Sequence, residues 1–374
     1  MRIVRRTAML ALCALFIVSP HLRSADTIPR ELTDDAYWKL VNTLSEDGGY
    51  FRFQFMSNER EFPSVIPELK KSIKPGGVYL GVGPEQNFTY IAATQPKIAF
   101  IFDIRRQNML EHLIYKAVFE MSATRAEFLS RLFSRRAPVG LTDRTTVAAL
   151  FQAFGNSRSE AALYRQNLQA ITDQLLKVHK FQLSAADQSD IAMIYQQFFD
   201  AGPGVGYSGT FGGYSGGNSN YAALMTSTDD HGQAWSYLAS EENFQSVREM
   251  ERKNLIVPLV GDFAGTKAIR AVGNYLREHG AVVSTFYTSN VEQYLFQQAD
   301  DWSRYYSNVS ALPLDVSSTF IRSSHYSLGT VTQPARQFGG SNYVMLLCSM
   351  ADLTKAFNAG RIHSYDDVIR MSHE

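Results

Sequence analysis

An α/β architecture with a largely parallel sheet follows from three features of this sequence. Short apolar, β-rich runs alternate with stretches of helical periodicity, which is how parallel strands covered on both faces are written. Gly81-Val82-Gly83 ends one such run, and Asp103 ends the next, 22 residues after Gly81. Between the first pair of strands and the later ones lies a long segment with helical patterning and no strand signal. The reading is therefore Rossmann-like, with a helical insertion.

The elements follow in order. Thr33-Asp34-Asp35 before Ala36–Val41 predicts a capped helix. Pro67–Lys71 predicts another, stopped by Pro75-Gly76-Gly77, so residues 26–77 read as an N-terminal helical segment ahead of the α/β domain at 78–374. Val78–Gly83 reads as a buried strand, residues 86–94 as a helix, and Lys97–Ile104 as a second strand. Across 107–200, Leu110, Leu113, Ile114, Ala117 and Val118, then Leu163, Leu168, Ile171, Leu175 and Leu176, recur at helical spacing. Four or five inserted helices are expected there. Residues 202–217 hold eight glycines. That stretch is too long and repetitive for a phosphate cradle, which needs one tight turn running into a helix. It reads as a surface loop, or as a lid carrying Tyr207, Phe211 and Tyr214 over a pocket. The α/β pattern resumes with strands at 254–260 and 281–287 and helices to about Glu278 and at 290–298. Late strands are expected at 319–323 and 343–350, and late helices at 351–359 and 364–371, the last capped by Ser364.

Composition bounds the function. The chain has 374 residues, 45% hydrophobic and 19% charged, ample for a core. Its 36 basic and 36 acidic residues cancel, which excludes a general electrostatic nucleic-acid binder. Cys13 and Cys348 are too few for a disulfide scaffold or a cysteine zinc site, and Cys348 directly follows the apolar run 343–347 and reads as an inert buried thiol. Arg2, Arg5 and Arg6, the apolar run Met9–Val18 and Ser24-Ala25 read as a secretory signal over residues 1–25. The apolar run is far shorter than the ~20 residues of a spanning helix. Export to the periplasm or the outside is expected, with no stable transmembrane segment after cleavage. Removing residues 1–25 would leave a net charge of −4.

The glycines after the first strand let a backbone approach a ligand, and a carboxylate about 20 residues on can accept from ribose hydroxyls. The third glycine of the dinucleotide fingerprint is absent. Glu85-Gln86-Asn87 occupies that region and puts an acid where a pyrophosphate would sit. A less anionic nucleoside such as S-adenosylmethionine suits the segment better.

Val78–Gly83 followed by Ile101-Phe102-Asp103 resembles the first two motifs of class I S-adenosylmethionine-dependent methyltransferases. A closer resemblance is to an uncharacterised bacterial family of that fold, which includes a leptospiral protein. Gly83–Tyr90, Asp103–Asn108, Gly261–Gly265 and Ser289–Tyr294 carry it, across most of residues 78–325. The resemblance implies a methyltransferase-type fold with S-adenosylmethionine as cofactor. Gly81 and Gly83 would approach its methionine part, Asp103 its ribose, and Glu85, Gln86 and Asn87 its amino-acid moiety.

Each of those segments follows a predicted strand. Glu85, Gln86, Asn87, Asp103, Arg105, Asp262, Asn290 and Glu292 are therefore expected to converge at the carboxyl edge of the sheet, where open α/β folds bind ligands. Arg105, Arg106 and Lys267 could instead neutralise the acids in a structural network. Asp315, Arg322, Ser323 and His325 bracket the strand at 319–323. His325 and Glu292 are the candidate catalytic groups, His325 as a general base near neutral pH. No histidine pair has zinc-binding spacing and no metal is expected. Export conflicts with S-adenosylmethionine, which is kept inside cells. The alternatives are a non-catalytic protein binding a small polar ligand or a cell-envelope component, and a carboxylate- or metal-dependent envelope hydrolase.

Overall fold

The structure, a computed structural model, describes residues 27–51, 54–208, 219–325 and 343–373. The signal at 1–25, Phe211 and Tyr214 lie outside the described residues, as does the side chain of His325. The protein is a mixed α/β fold around one six-stranded sheet, β1 (Val78–Val82), β2 (Ile98–Asp103), β3 (Ile256–Val260), β4 (Val283–Ser289), β5 (Leu314–His325) and β6 (Tyr343–Ser349). The strand order is β3-β2-β1-β4-β5-β6. β1 to β5 run parallel and β6 is antiparallel to β5, with Thr319 opposite Ser349 and His325 opposite Tyr343. Among the described residues β3 pairs only with β2, and as an edge strand it tolerates Pro258, which has no N–H to donate.

The chain steps outward from β1 to β2 to β3, then returns to β4 on the other side of β1. With right-handed crossovers this reversal puts helices on both faces. One face carries α3 (Gln86–Thr94) and α4 (Arg106–Glu120), against which α10 (Glu241–Arg252) packs. The other carries α11 (Ala268–Glu278) and α13 (Asp301–Ser310), with α14 (Met350–Asn358) beyond. Phe100 and Phe286 meet Tyr275 of α11 and Tyr305 of α13, while the neighbouring Tyr287 turns to Tyr90 of α3. That alternation is the period-two pattern of a strand buried on both sides.

The insertion comprises α4 and four further helices, α5 (Arg125–Phe133), α6 (Val147–Gly155), α7 (Ala161–Asp173) and α8 (Ala185–Ala201). α7 runs into one π-helical turn at Gln174–Val178, after which His179 bridges Asp34 (2.8 Å) and Glu120 (2.7 Å). The N-terminal segment is thereby tied to the insertion. Thr33 caps α1 (Asp34–Leu44) by accepting from Ala36 N, and Ser364 forms a capping box with Asp367 at α15 (Tyr365–Arg370). Cys348 is buried in β6. No described helix is long and apolar enough to cross a membrane.

Residues 26–77, expected as an N-terminal helical segment, carry α1 and α2 (Ile66–Ser72). Between α1 and α2 the chain forms a strap over the carboxyl edge of the sheet. Glu46 N donates to Val260 O and Gly49 N to Ile104 O beside β2 and β3, and Glu59 reaches β4.

Candidate functional site

The carboxyl ends of β1, β2 and β4 meet where the strand order reverses, the place at which open α/β sheets leave a crevice. The turn after β1 needs Gly83, whose φ of +74 would be costly for another residue even though the space around its Cβ position is open. Gly81 serves packing rather than ligand approach. A Cβ there would meet Asn87 Oδ1 at 1.8 Å. Asn87 is wholly spent on the fold, donating to Val82 O, Gly83 O and Pro84 O and accepting from Tyr79 (2.9 Å).

Glu85 is fully buried at the start of α3 and accepts from Ser57 N of the strap at 3.1 Å. Burial pushes its pKa up to about 8. Gln86 is also buried and lies beside Tyr90, with neither amide atom in a well-formed hydrogen bond among the described residues. Asp103 ends β2 in a fork with Arg105, accepting from its Nε (2.8 Å), Nη2 (2.6 Å) and backbone N (2.8 Å). Burial works against the Arg105 charge, but Asp103 outweighs it and holds the guanidinium pKa above its usual value.

The remaining expected residues have partners of their own. Asp262 caps its own loop, accepting from Ala264 N, and its backbone N donates to Glu46 of the strap (2.9 Å). Asn290 precedes α12 (Val291–Leu295) and is half-buried beside Ser289. Glu292, expected as a catalytic group, is buried against Arg322, accepting from Nε (2.7 Å) and Nη2 (3.1 Å), with Tyr306 at 2.6 Å and Thr288 at 3.3 Å. Buried charges must be matched locally, and Asp262 and Glu292 each have hydrogen-bond partners of their own within the protein. Arg106 pairs with Asp187, and Asp315 lies at the opposite, amino edge, in a pocket of about 260 Å³ with Lys74, Lys97 and Ser317. His325 closes β5, and Ser323 is buried on the same strand.

Several groups at this edge escaped the sequence reading. Glu59 accepts from Tyr287 (2.6 Å) and from Ser289, and burial raises its pKa. Ser289 itself has φ +52, a left-handed conformation that a non-glycine residue adopts at a cost. Glu111 of α4 is buried near Glu85, and burial with that neighbouring acid lifts its pKa well above the carboxylate range. His112 gives Gly83 O a contact of 2.9 Å through Nε2, and burial lowers its pKa to about 4. It is neutral at pH 7, with the proton on Nε2. Glu46 and Glu59 offered no local signal, because their partners lie more than 200 residues away. From the glycine-rich segment, Tyr207 accepts from Phe55 N through its carbonyl and from Gln54 through its hydroxyl. No group of three or more His, Cys, Asp or Glu side chains among the described residues is arranged to hold a metal.

The comparison with curated proteins finds no significant match. A family model described as a domain of unknown function, DUF7790, matches residues 54–370, from the strap to the last helix, and the chain belongs to that family.

Proposed function

We propose that this protein binds a small polar ligand, neutral or cationic, at the carboxyl edge of β1, β2 and β4, with S-adenosylmethionine as the first candidate and methyl transfer to an unknown acceptor as the reaction. One observation carries the reading. Where the strand order reverses, Gln86 follows Glu85 and is buried against Tyr90 with neither amide atom in a well-formed hydrogen bond among the described residues. A buried amide short of well-formed hydrogen bonds costs about 1–3 kcal/mol, and a ligand would supply them. The acid at the start of α3 disfavours phosphates there. The strand order is that of dinucleotide-binding folds and supports a Rossmann-like, methyltransferase-type lineage.

A second reading is binding without chemistry, of a small polar ligand or a cell-envelope component. Its support is that Asp103 and Glu292 are both committed to arginines. It also accords with export through the arginine-led amino terminus, since an exported enzyme would lack its donor.

Titration calorimetry of the chain with S-adenosylmethionine tests the first reading. Micromolar binding that disappears in Asp103→Ala is expected. No heat at millimolar ligand removes the cofactor and leaves the second reading. Cell fractionation tests export: recovery of the uncleaved chain in the cytoplasm would refute it.

A further inference from the structure

On α4, Asn108, Glu111, His112 and Tyr115 stand at i, i+3, i+4 and i+7, so they share one face of the helix. All four are buried, with no more than 2% of any exposed. Both amide atoms of Asn108, both carboxyl oxygens of Glu111 and Nδ1 of His112 have no hydrogen-bond partner among the described residues. The Tyr115 hydroxyl lies near that of Tyr221 without a well-formed bond. Each unmade bond of this kind costs about 1–3 kcal/mol. Asn87, one helix away, is saturated by comparison. A row of polar groups this dense and this unsatisfied is a poor core and a good wall for something polar.

The surroundings select the guest. Glu85 is close enough to Glu111 to raise its cost of ionisation. Tyr221 and Tyr237, bonded to each other through their hydroxyls, sense the charge of both acids. Phe88 stands edge-on to His112 (5.4 Å), Tyr115 (5.2 Å) and Tyr237 (5.4 Å). Arg105, the cation whose charge Glu111 senses, is already forked onto Asp103. Two acids, a bare imidazole nitrogen and an amide oxygen among aromatic rings repel an anion. They match the N–H donors and charge of an ammonium group, which aromatic faces also attract.

We propose that this face of α4 is the wall of a buried binding site, adjoining the carboxyl-edge site at Glu85, for a small molecule carrying an ammonium group. Glu111, backed by Glu85, takes the charge, and Asn108 Oδ1 and His112 Nδ1 accept its hydrogens. The site stands on α4 and does not require S-adenosylmethionine to bind.

Thermal unfolding and calorimetry of the full chain with methylammonium, ethanolamine and putrescine chlorides test this, against sodium chloride and sodium acetate at equal ionic strength. Saturable stabilisation by at least one ammonium salt, absent with the sodium salts, is expected. Glu111→Gln should weaken that binding at least about tenfold while the far-ultraviolet circular dichroism stays unchanged. If Glu111→Gln does not fold, Asn108→Leu, which removes an acceptor but no charge, carries the comparison and should weaken binding too. Cation entry should also release protons, so the binding heat should vary with the ionisation enthalpy of the buffer. No saturable effect at tens of millimolar, or undiminished binding in the folded variant, would overturn the proposal and leave the face to buried water.

Discussion

Glu292 shows how burial decides what a charged residue can do. Arg322 is wholly inaccessible, and its fork onto Glu292 is completed by Tyr306 and Thr288. Every accepting position on the carboxylate is thus spoken for, and proton transfer to a substrate would have to break the pair. Glu292→Gln is expected to destabilise the protein by about 3–5 kcal/mol, because it strands the Arg322 charge in the core. Urea unfolding measures the loss, and a cost below about 1 kcal/mol would show that the pair is solvated. Gly81 and Gly83 make the same point from the side of the backbone. They are two residues apart, yet one is glycine for the sake of Asn87 and the other for its positive φ.

At the scale of elements, the strap between α1 and α2 organises the carboxyl edge. Glu46 accepts from the backbone N–H groups of Asp262 (2.9 Å) and Lys267 (3.2 Å), which orders the loop between β3 and α11. It also occupies the space that a side chain at Gly265 would fill. Farther along, Ser57 and Glu59 tie the strap to α3 and β4. Glu46→Ala is expected to cost about 1–3 kcal/mol through the stranded donors and to speed amide hydrogen exchange across residues 261–268. Unchanged exchange there would mean that the loop holds itself. The insertion is joined to the same strap-bearing segment by His179, seated between Asp34 and Glu120.

For the whole molecule, the buried acids set how stability responds to pH. Glu85 has an ordinary value near 4.5 and is held up to about 8 by burial in the fold. Below the lower value both states are protonated and the group is neutral to stability. Between the two, the unfolded chain gives up a proton that the folded chain keeps, so stability falls as pH rises. Glu251, also raised to about 8 by burial, acts in the same direction. Glu85→Gln is therefore expected to flatten, but not abolish, the decline between about pH 5 and about pH 8. Urea midpoints at the two pH values read this directly, and an unchanged slope would place Glu85 in contact with solvent.

Local chemistry was enough to write down the elements. The β-rich runs became β1 to β5, the caps at Thr33 and Ser364 formed, and the helical spacing of 107–200 became the insertion, because strand and helix periods and capping oxygens act over a few residues. The antiparallel direction of β6 and the company each acid keeps were out of reach of such reasoning. Glu85, Asp103, Asp262 and Glu292 all follow strands, as their positions implied. Whether they face a ligand or an arginine depended on Ser57, Arg105, Glu46 and Arg322, three of them remote in the chain. The polar row on α4 could have been read from its spacing, but its burial could not. Periodicity is a property of neighbours along the chain, whereas desolvation and charge compensation belong to neighbours in space, and only the packed structure brings those together.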